Sequence, residues 1–138
     1  MKEQIITYKT ASLAKEKGFN EEVQHRYNEN KELLPTKLGM HGKPNNYQDS
    51  IAAPTQALLQ RWLREEKGLC VEMRVPSSIF RGVWHGCIYK YDDMYKEWKF
   101  IDLDKVYPDA PLSDRIFLQS KSYSEALEMS LQEALKLI

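Results

Sequence analysis

No stretch of this chain approaches the roughly 20 consecutive apolar residues that a membrane span needs. The start, Met1-Lys2-Glu3-Gln4-Ile5-Ile6-Thr7, returns to polar sequence after Ile5 and Ile6, so it lacks the apolar core of a signal peptide. The expected compartment is the cytoplasm. Net charge is absent as well: 20 Lys and Arg balance 20 Asp and Glu, so no overall field draws nucleic acid or anionic lipid, and only a local basic patch could do so. Cysteine is scarce. Cys70 and Cys87 sit in apolar, strand-like runs and read as reduced core residues rather than a disulfide.

Signatures of chemistry are missing too. Gly39, Gly42, Gly82 and Gly86 fit neither the P-loop nor the dinucleotide-binding spacing. His85-Gly86-Cys87 joins two good zinc ligands, but a structural site needs paired short motifs, and only Cys70, His25 and His41 remain to complete one. The tripeptide reads as packed strand, and neither metal nor cofactor is expected. Cys87 with His85 or His41 as base would also need an orienting group and oxyanion donors, which no local motif supplies. Of the paired carboxylates Asp92/Asp93 and Asp102/Asp104, the first suits an exposed hairpin turn. No catalytic residue is assigned, and the chain is not expected to be an enzyme.

What is present is ordinary globular composition, with 42% hydrophobic and 29% charged residues in a 138-residue chain. The length suits one domain. Within it we expect an N-terminal helix and arm (1–34), a surface loop (35–50) and a helix, three strands, helix core (51–138). The predicted class is α+β, a three- to four-stranded antiparallel sheet packed with helices.

Thr10-Ala11-Ser12-Leu13-Ala14-Lys15-Glu16-Lys17-Gly18-Phe19 reads as a short helix, with Thr at its start and Gly18 placed to end it in the left-handed conformation. Val23–Asn28 alternates weakly and suits either a short strand or an irregular arm. Pro35–Asp49 is rich in turn formers and has few apolar anchors. A stronger helix runs from Pro54, suited to the first helical position, to Lys67, where Gly68 ends it. Leu58, Leu59, Trp62 and Leu63 share its core face. Arg61, Arg64 and Lys67 share another stripe, with Glu65 and Glu66 beside them; it reads as a solvated face, the alternative being a set of phosphate contacts.

After Gly68 the period changes to two. Leu69, Val71, Met73 and Val75 alternate with Cys70, Glu72 and Arg74 until Pro76. The runs Val83–Tyr91 and Glu97–Leu103 flank Asp92-Asp93-Met94 and read as a hairpin with a loop of about four or five residues. Ile116-Phe117-Leu118 suits a short edge strand. Ser122-Tyr123-Ser124-Glu125 is a capping box, which starts a final helix. Its core stripe is Leu127, Leu131, Ala134, Leu135 and Ile138, with Glu125, Glu128, Gln132, Glu133 and Lys136 at polar positions.

The sheet's aromatics carry the functional signal. Trp84 and Ile88 take one side of the second strand, and Val83, His85, Cys87, Tyr89 and Tyr91 the other; Trp98 and Phe100 oppose Ile101 and Leu103. Neither face is polar, so something should cover the second face. The cover is either the N-terminal arm and loop, or a partner protein or second copy bound through Trp84, His85, Tyr89, Tyr91 and Trp98. The order from Pro54 onward also matches double-stranded RNA-binding domains, although Lys121-Ser122 offers a single basic residue where those domains cluster lysines.

The stretches Ala11–Phe19, Ala53-Pro54-Thr55-Gln56-Ala57-Leu58-Leu59-Gln60-Arg61-Trp62-Leu63-Arg64-Glu65 and Ser122-Tyr123-Ser124-Glu125-Ala126-Leu127 resemble a family of small uncharacterised proteins of phages and other mobile elements of Bacteroidetes. The resemblance implies a cytoplasmic accessory protein and assigns no residue a role. The expected function is a non-enzymatic protein-interaction module, with a protein partner or self-association. The alternative is a nucleic-acid-binding accessory using Arg61, Arg64 and Lys67.

Overall fold

The computed structural model describes residues 3–74, 83–108 and 118–138. Among them, four helices and two antiparallel sheets make an α+β fold. Helix α1 (Tyr8–Glu16) starts earlier than Thr10, because the Thr7 hydroxyl accepts the Thr10 N–H at 3.4 Å and caps the helix. Thr10 is buried within it. Gly18, at φ +93°, turns the chain out of α1 in a conformation open to glycine at little strain.

The weakly alternating segment forms a strand. β1 (His25–Tyr27) lies between β2 (Leu33–Pro35) and β3 (Ile51–Ala52), with Arg26 opposite Leu34 on one side and Ala52 on the other. The loop between β2 and β3 holds two single-turn 3-10 segments at Leu38–Met40 and Pro44–Asn46. Besides buried Met40 and Pro44, its anchors are polar. Lys15 Nζ donates to the carbonyls of Tyr47 and Ser50 at 2.8 and 2.7 Å, and Asn45 donates to Phe19 O while accepting from the Ala52 N–H.

Helix α2 (Gln56–Lys67) is capped by Thr55, whose hydroxyl accepts from the Leu58 N–H at 3.2 Å, so Pro54 stands before the cap rather than at the first helical position. Gly68 ends it at φ +63°. Strands β4 (Leu69–Arg74), β5 (Trp84–Asp92) and β6 (Glu97–Phe100) form the main sheet in that order. Strand β7 (Gln119–Ser120) joins β5 opposite Trp84 and His85. Of the sequence-predicted edge strand, Leu118 is buried just before β7, and Ile116 and Phe117 lie outside the described residues, as do Val75 and Pro76. The third run leaves the sheet after Phe100. Leu103, expected in the strand, opens the short helix α3 (Leu103–Val106), which Asp102 caps.

Helix α4 (Tyr123–Lys136) crosses the inner face of the sheet. The Ser122 hydroxyl accepts the Glu125 N–H at 3.3 Å as the capping box requires. The return arm is a relay, since Ser122 N–H donates to Ser120 Oγ at 3.1 Å and that hydroxyl donates to Glu125 Oε2 at 2.8 Å. Leu127, Leu131, Ala134 and Leu135 are buried, together with Phe19, Leu59, Leu63, Val71 and Ile88 from the other elements. Ile138, expected on the core face, is 41% exposed because the helix has already ended. Gly86 permits close approach: a Cβ there would lie 1.9 Å from Ser130 Oγ.

Two expected surface residues are buried. Glu128 (8% exposed) receives the Thr7 N–H, the Thr10 hydroxyl at 3.0 Å and the Gln56 amide at 3.3 Å, which ties the starts of α1 and α2 to α4. Its negative charge also suits the N-terminus of α1. Glu133 (2% exposed) lies 3.6 Å from Lys136 Nζ, and its Oε1 has no hydrogen-bond partner among the described residues. Periodicity assigned both to the polar side. Thr7, Thr10 and Gln56 make burial tolerable for Glu128 by satisfying its oxygens.

Candidate interaction surface

Because α4 meets the sheet through Gly86 and Ile88, strand alternation turns His85, Cys87, Tyr89 and Tyr91 to the opposite, outer face. Register adds their neighbours. Cys70, Glu72 and Arg74 stand opposite Tyr89, Cys87 and His85, while Trp98 and Phe100 stand opposite Tyr91 and Tyr89. The aromatic pairs are edge-to-face, with centroids 5.2 Å apart for Tyr91–Trp98 and 5.8 Å for Tyr89–Phe100. Arg74 Nη2 donates to the Tyr89 hydroxyl at 2.5 Å. Trp98 is 42% exposed and Phe100 60% exposed.

The arm and loop do not supply the expected cover. Helix α1 packs on α4 and β3, on the other side of the main sheet, and the loop is held to α1 by Lys15. Four of the five sequence-predicted binding residues, His85, Tyr89, Tyr91 and Trp98, come together on the outer face. Trp84 does not. It lies on the α4 side, edge-on to Tyr123 at 5.0 Å. Phe100 shares Trp98's alternation and belongs with the face; the same signal brings in Glu72 and Arg74.

Where β6 ends and β7 begins, a small cleft of about 260 Å³ opens beside β5, lined by His85, Cys87, Asp102 and Gln119 among others. Gln119 Nε2 lies 3.0 Å from His85 Nδ1. Burial pushes the thiols of Cys87 and Cys70 above their ordinary value, the reverse of what an activated nucleophile needs. No group of three or more His, Cys, Asp or Glu side chains among the described residues could hold a metal ion. No helix there is long and apolar enough to cross a membrane.

The proposed phosphate contacts form no single-sign patch. Arg61 Nε lies 3.9 Å from Glu65, and Lys67 Nζ sits 5.3 Å from the centre of the Trp62 ring. Arg61 and Arg64 border a cleft of about 720 Å³ with His25, but Glu3 and Glu22 border it too. A further titratable pair, which the sequence did not suggest, is Tyr107 and Glu133. A hydrogen bond to the Glu133 carboxylate, burial and that carboxylate's charge push the Tyr107 hydroxyl up to about 12.

The chain is thus an α+β protein whose main sheet is covered by α4 on one face and carries exposed Trp98 and Phe100, beside buried Cys87, on the other. No family model, no curated protein and no solved structure matches it. The resemblance to mobile-element proteins rests on its three sequence stretches alone, and the likeness to double-stranded RNA-binding domains on element order.

Proposed function

We propose that this chain is a non-enzymatic protein-interaction module that presents the outer face of β4, β5 and β6 to a protein partner. The observation that carries the reading is the pair of exposed rings, Trp98 and Phe100, beside Tyr89 and Tyr91 on a face where an antiparallel sheet ordinarily turns polar residues to water. Aromatic rings with an arginine at hand are the residue types that anchor protein interfaces. Burial raises the thiols of Cys70 and Cys87, which weighs against a cysteine nucleophile at this face.

The test is retention of protein on the immobilised full chain, compared with the Trp98→Ser/Phe100→Ser double variant. We expect a specific protein retained by the wild type and lost by the variant, with both chains equally folded by circular dichroism. Equal retention by both overturns the reading. Nucleic-acid binding through Arg61, Arg64 and Lys67 is less well supported, because Glu3, Glu22 and Glu65 interrupt the basic stripe. A steep loss of binding with salt would be its mark.

A further inference from the structure

We infer that the partner is a second copy of this chain, paired antiparallel along the outer edge of β6. The inference rests on the reading of the aromatic face as an interaction surface, and names its occupant.

Strand β6 ends the path of the main sheet, and all four of its residues are exposed. Its backbone phase follows from its neighbours. Ile101 N–H donates to Ile88 O at 2.9 Å, so Ile101, Lys99 and Glu97 direct their backbone groups toward β5. Alternation then leaves the N–H and C=O of Trp98 and Phe100 directed outward. Among the described residues no strand pairs with this edge, which offers two donors and two acceptors.

A two-fold axis makes such an edge meet itself, and residues directly opposite in an antiparallel pair must share a face. Two registers of β6 on β6 meet both conditions. Centred on Trp98, the pairing sets Trp98 against Trp98 of the partner copy and Glu97 directly against Lys99 of the partner copy, twice by symmetry. Centred on Lys99, it sets Trp98 against Phe100 of the partner copy and Glu97 diagonal to Lys99 of the partner copy, within reach of long side chains. In either register opposite charges meet on one face and aromatic rings on the other. The second register also brings the two Lys99 side chains together, but each already has an acidic neighbour, Asp92 Oδ2 at 2.7 Å. The edge is therefore self-complementary. A dimer would continue the rows of Tyr91 with Trp98 and Tyr89 with Phe100 across the axis as one aromatic surface.

Charge reversal in trans tests this. Glu97→Lys sets lysine against Lys99 of the partner copy, and Lys99→Glu sets glutamate against Glu97 of the partner copy, so each variant alone repels itself. Mixed together, the two chains are again complementary. By sedimentation equilibrium on full chains, we expect a wild-type dimer, about tenfold weaker self-association in each single variant, and recovery in the one-to-one mixture. Thermal unfolding of each chain establishes that these exposed changes leave it folded. A wild type that stays monomeric to its solubility limit, or singles that dimerise like the wild type, overturns the inference. A monomeric wild type whose Trp98→Ser/Phe100→Ser variant still loses a bound protein overturns self-pairing and leaves the interaction surface standing. A wild type that neither pairs nor retains protein overturns both.

Discussion

The seam where α4 meets α1 and α2 and the outer face of the main sheet invert the usual division of polar and apolar residues. The seam buries Thr10, Gln56 and Glu128, and α4 buries Ser130 and Glu133 beside it, while the sheet face leaves Trp98 and Phe100 in water. What separates them is satisfaction rather than polarity. Glu128 has donors on three sides, and Ser130 donates back to Ala126 O at 2.7 Å, so their burial leaves few polar atoms stranded. The rings have each other on one side and solvent on the other. Polarity alone does not decide which surface of this protein is closed.

The comparison is broken hardest at the apolar floor of the closed side. Leu131→Ala should lower unfolding free energy in urea by about 2–5 kcal/mol, because the site is fully enclosed and cannot collapse around the loss. Gly86→Ala, which forces a methyl against Ser130, should cost about 1–3 kcal/mol. Adding Ser130→Ala should return part of that, and strict additivity in the cycle would refute the contact.

Removing the polar tie tests the seam itself. Glu128→Ala should cost about 1–3 kcal/mol by orphaning the Thr7 N–H and removing an acceptor from Thr10 and Gln56. A value near zero would mean that water replaces the carboxylate and the seam is not closed.

Tyr107 supplies a pH test. Its hydroxyl is held at about 12 against an ordinary 10.0, so the fold favours the neutral form. That contribution is complete below pH 10 and is lost as pH rises through 12. The difference in stability between wild type and Tyr107→Phe should therefore be flat up to pH 10 and shrink above it. A constant difference across that range would separate Tyr107 from Glu133.

The smallest effect belongs to the open face. Phe100→Ser should change stability by no more than about 0.5 kcal/mol in dilute protein, as for other exposed positions. A loss as large as that of Leu131→Ala would show the ring to be covered and end the contrast.

Much of this was legible locally. Gly68 and Gly18 mark helix ends because left-handed backbone suits glycine, and the alternation over Leu69–Arg74 and Trp84–Tyr91 separates inner from outer side chains correctly. The grouping of His85, Tyr89, Tyr91 and Trp98 follows from that alternation plus antiparallel pairing. Trp84 was misplaced among them by being counted as an aromatic rather than by its parity. The helix starts moved because the hydroxyls of Thr7 and Thr55 reach the free N–H groups of Thr10 and Leu58 and cap the helices there. Helical periodicity put Glu128 and Glu133 on the polar side, since it counts residue types and cannot register donors arriving from a distant helix.

By itself, the sequence determined the elements whose signals are short in range: where α2 ends, where the chain changes from helical to alternating period, and which rings share a face. Tertiary structure decided what covers what. The N-terminal arm goes to α4 and β3 because Thr7, Thr10 and Gln56 together solvate the Glu128 carboxylate there. The outer face, with no comparable claim on the arm, is left with its rings exposed. Such a choice depends on groups more than 70 residues apart in the chain, Gln56 and Glu128 among them, and no local pattern encodes it.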